Sequence, residues 1–283
     1  MLTPALTSPD GTAKFLHTLG DGLSVESVLI PFSKRHSVCL SSQVGCAMAC
    51  TFCHTGLMGL KRHLSSVEIT QQYIDVKNWH LNETPTRLPP TVVFMGQGEP
   101  LHNFEALKGA IQWLTDHQGG NIGPRMITVS TAGYVPGLER FAELGGVNLA
   151  LSLHSPFDEE RAQLIPLNKR WNIAEVFKVI DAIPRRRRQY INCEYLLMKG
   201  VNHSERHADA LLELLGHRQA MVNLIPFNPF PGAPWQRPSE DEIETFMQQL
   251  VARKLRVFRR TTKGEEIMAA CGQLNTGSKE ARA

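Results

Sequence analysis

The chain has 283 residues, a formal net charge of +3 and 42% apolar residues. That length can bury one large core or two small ones, and so weak a positive charge excludes a purely electrostatic nucleic-acid binder while leaving room for a local basic face. No apolar leader opens the sequence and its longest apolar runs are far too short to cross a bilayer, so a cytoplasmic protein with no membrane partner is expected.

In chain order, Val25 to Pro31 and His36 to Leu40 read as short strands, joined as a hairpin through Phe32-Ser33-Lys34-Arg35. Ser65 to Ile69 reads as the cap and first turn of a helix reaching about Leu81. Thr91 to Met95 is a short apolar run ending in glycines, as in a buried parallel strand. Strand-then-helix units follow: Met126 to Ser130 with Val135 to Leu144, Asn148 to Leu153 with Asp158 to Ile165, and Tyr190 to Leu197 with Ser204 to Leu215. A last unit pairs Ala220 to Ile225 with Ser239 to Val251, and a strand near Leu255 to Arg259 closes the series. Repeated β-then-α units imply an α/β fold with a parallel sheet and helices outside it. In such barrels the functional groups gather in loops at the carboxyl ends of the strands.

The most informative local feature is Cys46, Cys50 and Cys53, a C-x3-C-x2-C run. Three thiolates can hold three irons of a cubane iron–sulfur cluster and leave the fourth open for chemistry. A disulfide framework does not suit a cytosolic chain. Zinc is the other reading, with His54 as fourth ligand, but the second ligand pair usual in structural zinc sites is missing. Phe52 before the last cysteine suits the cluster, because an apolar neighbour shields iron from water. Cys193, inside an apolar strand pattern, reads as an inert buried thiol.

The cysteine loop with its preceding aromatic resembles the radical S-adenosylmethionine superfamily. Further segments narrow the resemblance: Cys39-Leu40-Ser41-Ser42-Gln43-Val44-Gly45-Cys46, Met95 to Leu101, Ser152-Leu153-His154, Asn223 to Gly232, and Ala269 to Leu274. Together they resemble the RlmN/Cfr family of RNA adenosine methyltransferases from about Asp10 to Leu274. The resemblance implies a partial (βα)6 barrel over residues 36–274, preceded by an extension and short hairpin in 1–35 and followed by a disordered polar tail in 275–283. Typical members carry a further amino-terminal helical domain ahead of the segment that begins here near Asp10. The expectation is therefore a short form in which RNA recognition is reduced, altered or delegated to a partner.

By the same resemblance Cys46, Cys50 and Cys53 bind one [4Fe–4S] cluster. Gly98, Glu99, Ser130, Ser152, Leu153, His154 and Asn228 form the S-adenosylmethionine pocket, and two molecules of that cofactor are used per turnover. The glycines around Glu99 would let the backbone approach a ligand amino group closely. Read alone, Gly-Gln-Gly-Glu-Pro is a tight turn, and a lone Ser or Asn after a strand is a turn or helix cap.

Carbon 2 of adenine is electron-poor and offers no nucleophilic lone pair, so a radical route is implied, with the hard step carried by the cofactor. In the family a carboxyl-terminal cysteine, here Cys271, first receives a methyl group. Hydrogen abstraction then makes a methylene radical that adds to the base, Cys39 releases the product by forming a disulfide with Cys271, and Glu26 accepts the ring proton. Without the resemblance, Cys39 is a buried strand thiol and Glu26 a surface carboxylate.

The implied substrate is 23S ribosomal RNA, with transfer RNA as a further one, and the implied reductant is an electron donor such as flavodoxin. Candidate phosphate contacts are Lys61-Arg62-His63, Lys169-Arg170, Arg185 to Arg188, and Arg259, Arg260 and Lys263 just ahead of Cys271. Methylation at carbon 8 and an inactive iron–sulfur or RNA-binding homologue are the alternatives. Pro100 leans toward carbon 2, and the intact Cys39, Cys271 and Glu26 argue against lost activity. The oligomeric state is not legible.

Overall fold

A computed structural model describes residues 4–33, 35–83 and 90–276. Lys34 of the expected hairpin turn, and residues 277–283 of the expected tail, lie outside the described residues. The strands β1 (Leu6–Thr7), β2 (Ala13–Thr18), β3 (Ser24–Pro31) and β4 (His36–Cys39) pair antiparallel in sequence order. A small antiparallel ribbon of β5 (Gln43–Val44) and β6 (Arg62–His63) brackets the cysteine loop. There follow α1 (Ser66–Glu83), β7 (Thr91–Phe94), α2 (Phe104–Thr115), β8 (Ile127–Thr131), α3 (Val135–Leu138), β9 (Asn148–Ser152), α4 (Asp158–Leu164), α5 (Ile173–Ala182), β10 (Ile191–Leu197), α6 (Glu205–Leu215), β11 (Ala220–Pro226), α7 (Glu240–Ala252) and β12 (Val257–Arg259).

All the larger strands join one ten-stranded sheet in the order β1-β2-β3-β4-β7-β8-β9-β10-β11-β12, parallel from β4 onward. The strands from β4 to β11, each followed by a crossover, are the expected partial (βα)6 barrel, and β1–β3 extend its first edge. Local signals account for the helices. Ser65 and Glu68 exchange hydrogen bonds at the start of α1, as Asn172 and Glu175 do before α5 and Ser239 and Glu242 before α7, satisfying backbone donors that a helix start leaves open.

The structure adds elements that the strand-then-helix series omits. Both α2 and α5 are plainly amphipathic, burying Leu107, Ala110, Ile111 and Leu114 in one and Ile173, Val176, Phe177 and Ile180 in the other. Strand β2 is also additional, with Ala13, Phe15 and Val25 of neighbouring β3 fully enclosed. The helix expected over Val135 to Leu144 is broken into α3 and a separate 3-10 turn, Phe141–Leu144. Gly137 packs there so tightly that a Cβ would lie 2.6 Å from the Leu101 carbonyl oxygen, so close seating against the neighbouring loop takes precedence over a continuous helix.

Candidate active site

The cysteine loop starts where β5 ends and crosses itself. Gly45 has φ +74°, and a side chain there would put Cβ 1.8 Å from the Gly59 carbonyl oxygen, whose group accepts the Cys46 N–H at 3.2 Å. Gly45→Ala should therefore cost about 1–3 kcal/mol from backbone strain alone, and quantitation of iron and sulfide after anaerobic reconstitution should show reduced loading. Full loading in that variant would remove Gly45 from the determinants of the loop.

The three cysteines fall in one apolar cluster with Met48, Phe52, Leu196, Ile225 and Phe230. Backbone N–H groups of Met48 and Glu99 point at the Cys46 sulfur, and those of Thr55 and Gly56 at Cys53. Burial pushes the Cys46 thiol up to about 12 and Cys50 well above its usual value, so these thiols release their protons readily only when a cation such as iron binds the sulfur in the proton's place. Three such donors in an apolar shell, with N–H groups aimed at sulfur, fit an iron–sulfur cluster. His54 does not complete a zinc set. Its ring stacks on Phe230, centroids 4.8 Å apart, and its Nε2 shares a 2.5 Å hydrogen bond with the Asn275 amide.

Beside the loop, a cleft of about 150 Å³ opens at the carboxyl ends of β7 to β11. Gly98 and Glu99 line it after β7, Ser130 at the end of β8, Ser152 and His154 at the end of β9, and Glu194 on β10. Burial lifts the Glu99 carboxyl to about 7, against backbone hydrogen bonds from Ala132 at 2.8 Å and Leu101 at 3.2 Å. A buried carboxylate next to an apolar wall is suited to a cationic amine. His154 adopts φ +59° and is almost wholly enclosed. Its Nδ1 accepts the Leu196 N–H at 3.0 Å, and burial followed by nearby Arg161 pushes its imidazolium down to about 3, so the ring is neutral and carries its proton on Nε2.

Gly96 and Gly98 both line the cleft, and their small size also serves the packing behind it. A Cβ on Gly98 would lie 2.6 Å from that of Gln43, and one on Gly96 would lie 2.7 Å from the Leu40 carbonyl oxygen. Their missing side chains make room for the segment leading into the cysteine loop, while Gln43 Oε1 accepts the Glu99 N–H at 2.8 Å. Leu153 faces the main core instead of the cleft. Asn228 lies outside the cleft as well, because both ends of its amide are committed: Nδ2 donates to the Cys271 carbonyl at 3.1 Å, and Oδ1 accepts from Arg237 at 2.9 Å.

A second, smaller cavity adjoins the cleft. Cys39, at the end of β4, and Cys271 both line it, and Cys271 also lines the cleft. The wall common to the two spaces consists of Met95, Ile225, Arg260 and Cys271. Burial pushes the Cys39 thiol up to about 12. Glu26 is 1% exposed and is no surface carboxylate. Its Oε1 meets Lys14 Nζ at 3.0 Å, its Oε2 accepts the Asn275 N–H at 2.9 Å, and its backbone N–H donates to Gln97 Oε1 at 2.9 Å. It lines neither space directly. Cys193 is fully buried in the core.

Two arginines matter here in ways that charge and spacing do not convey. Arg260, expected on a phosphate, points inward between the cavities and draws on Glu194, whose carboxyl burial pushes up against the pull of Arg260 and Asn223. Arg161 is 1% exposed and donates to the carbonyls of Ala132 at 2.7 Å, Ser152 at 2.9 Å and Leu153 at 3.1 Å, tying the ends of β8 and β9 together beside Cys50. Among the surface candidates, Arg62 is clamped by Glu68 and Asp21, and Arg259 by Glu240. The Arg185 to Arg188 run precedes β10 and so lies at the opposite end of the strands from the cleft.

Residues 40–212 match the radical SAM superfamily. Over 97% of its length the chain is 43% identical to the dual-specificity RNA methyltransferase RlmN of Dinoroseobacter shibae, spanning 72% of that protein. RlmN 2 of Myxococcus xanthus is 44% identical, across 98% of this chain and 74% of its own. The chain belongs to the RlmN family of radical SAM methyltransferases. A crystal structure of a radical SAM methyltransferase from Sphaerobacter thermophilus agrees with the RlmN assignment in three dimensions, with a TM-score of 0.89 at 41% identity over 97% of this chain and 81% of that one. Membership in the RlmN family makes the protein a methyltransferase that uses a [4Fe–4S] cluster and S-adenosylmethionine. Among the described residues no helix is long and apolar enough to cross a membrane.

Proposed function

We propose that this enzyme methylates carbon 2 of an adenosine in 23S ribosomal RNA, and in transfer RNA as a second substrate, through a methyl group carried on Cys271. The observation that carries this reading is the position of Cys271 on the wall shared by the cleft beside the cysteine loop and the cavity that holds Cys39. A methyl carrier has to meet the cofactor on one side and the base with its resolving thiol on the other, and a shared wall allows both without moving the chain. The relatives named dual-specificity RNA methyltransferases support RNA as the substrate.

In this reading Cys46, Cys50 and Cys53 hold the cluster, while Gly98, Glu99, Ser130, Ser152 and His154 surround S-adenosylmethionine, with Leu153 and Asn228 behind them. When bound, these groups supply a methyl group from one cofactor molecule and a hydrogen-abstracting radical from a second, given an electron from a donor such as flavodoxin. The chain's own residues do the rest. Cys271 presents its sulfur to both spaces and carries the one-carbon unit to the base. Once the ring proton has left to Glu26 and the adduct has given its unpaired electron back to the electron-transfer chain, Cys39 attacks the Cys271 sulfur, the bond from sulfur to the RNA-linked carbon breaks with its electron pair on that carbon, and the proton lost by the Cys39 thiol completes the methyl group as the disulfide forms. Lys14, 3.0 Å from Oε1 of Glu26, holds that side chain in place.

The test is mass spectrometry of nucleosides from RNA incubated with anaerobically reconstituted protein, S-adenosylmethionine and a reductant. Accumulation of 2-methyladenosine is the expected result. A product of 8-methyladenosine would move the reaction to the other branch, and the absence of both products would overturn the reading.

A further inference from the structure

Phe32 follows β3 in the turn toward β4, its N–H bonded to the Arg35 carbonyl at 3.0 Å, and its ring is 49% exposed at the mouth of the cavity that holds Cys39 and Cys271. Thr262 and Lys263, from the loop after β12, stand at the same mouth. The cavity itself encloses about 30 Å³, room for a water molecule and not for a purine. A base that presents its edge to the two sulfurs therefore has to lie across the mouth, where the exposed aromatic face is Phe32. An apolar ring left half in water costs free energy unless something covers it. Lys263 beside it favours a polyanion as the covering group.

We propose that Phe32 is a stacking platform for the target nucleobase of an RNA strand, with Lys263 holding the adjoining phosphate. This rests on the RNA-directed reading above and deepens it. Stacking on an aromatic ring is tolerant of base identity, so Phe32 sets affinity and pose while the edge of the base meets the thiols. Phe32 is a positioning residue and takes no part in bond making.

The test uses reconstituted protein and a short RNA hairpin carrying 2-aminopurine at the target adenosine, read by fluorescence anisotropy for affinity and by quenching for stacking. Phe32→Ala should weaken binding about 5- to 100-fold and abolish the quenching, and Phe32→Trp should restore both. Phe32→Leu, which keeps an apolar contact without a π face, should fail to restore the quenching. Lys263→Ala should lower the dependence of log affinity on log salt by about 0.7 and leave the quenching in place. Iron content and melting temperature should not change in the Phe32 variants, since the side chain is half exposed. Wild-type affinity and quenching in Phe32→Ala would overturn the platform while leaving the RNA reading intact. Failure of the wild-type protein to bind RNA at low salt would overturn both.

Discussion

Cys271→Ala should abolish methyl transfer while the protein still loads its cluster and still makes 5′-deoxyadenosine from S-adenosylmethionine. The loss should reach roughly 10⁴-fold or more, the scale seen when a covalent nucleophile is removed. The reason for separating the two outcomes is structural. The segment around Cys271 is held by its backbone: Asn228 donates to the Cys271 carbonyl, the His54 N–H donates to the Gly272 carbonyl at 2.7 Å, and Gln273 Nε2 donates to the Pro229 carbonyl at 2.6 Å. None of these contacts uses the Cys271 side chain, so the loop should stay in place when the sulfur goes. Iron analysis, quantitation of deoxyadenosine and nucleoside mass spectrometry on one preparation decide the matter. Retained methylation would remove Cys271 as the carrier, and a missing cluster would show that its role is to hold the loop.

Cys39→Ala should have the opposite signature, accumulation of a covalent protein–RNA species at up to stoichiometric yield. Cys39 is 6% exposed at the end of β4, and burial keeps its thiol protonated at neutral pH. Such a thiol is a weak nucleophile toward anything in bulk solvent and reacts only with a partner delivered to it. Its place in the cavity beyond Cys271 provides one partner, the carrier sulfur after the base has been captured. Removing a single buried sulfur should cost on the order of 1 kcal/mol, too little to unfold the barrel. Denaturing electrophoresis with labelled RNA reads the adduct directly. Ordinary turnover in this variant would eliminate the resolving role.

Much of the architecture was legible because it is written in local patterns. The alternation of short apolar runs with helical segments marked the parallel strands from β7 to β11, and Ser65 with Glu68 marked the start of α1. The cysteine spacing placed the loop. The features that were not legible depend on residues far apart in sequence. Gly96 and Gly98 are glycines because Leu40 and Gln43 fill the space behind them, a relation no turn propensity encodes. Arg260 lies in a run of basic residues that reads as a surface, yet its N–H pairs with the Leu224 carbonyl of β11 and its side chain joins the wall it shares with Cys271. Arg161 sits in a short helix rich in charge, and its burial under the ends of β8 and β9 follows from three carbonyls left open there. For α2 and α5 the signal is local too, in the helical spacing of Leu107, Ala110, Ile111 and Leu114 and of Ile173, Val176, Phe177 and Ile180.

The contacts between the cysteine loop and the late segment of the chain also bear on how the enzyme comes into being. Thr55 Oγ1 donates to the Leu274 carbonyl at 2.6 Å across 219 positions of sequence. A polypeptide leaving the ribosome displays Cys46, Cys50 and Cys53 long before Cys271 emerges, and until then the loop lacks the strap that covers it. Synthesis is vectorial, so Cys271 arrives only after the cysteine loop has been made. A message cut short ahead of Cys271 would leave the cysteine loop without the Gly272 and Leu274 carbonyls that pin His54 and Thr55, so the loop is finished only when the chain is nearly complete.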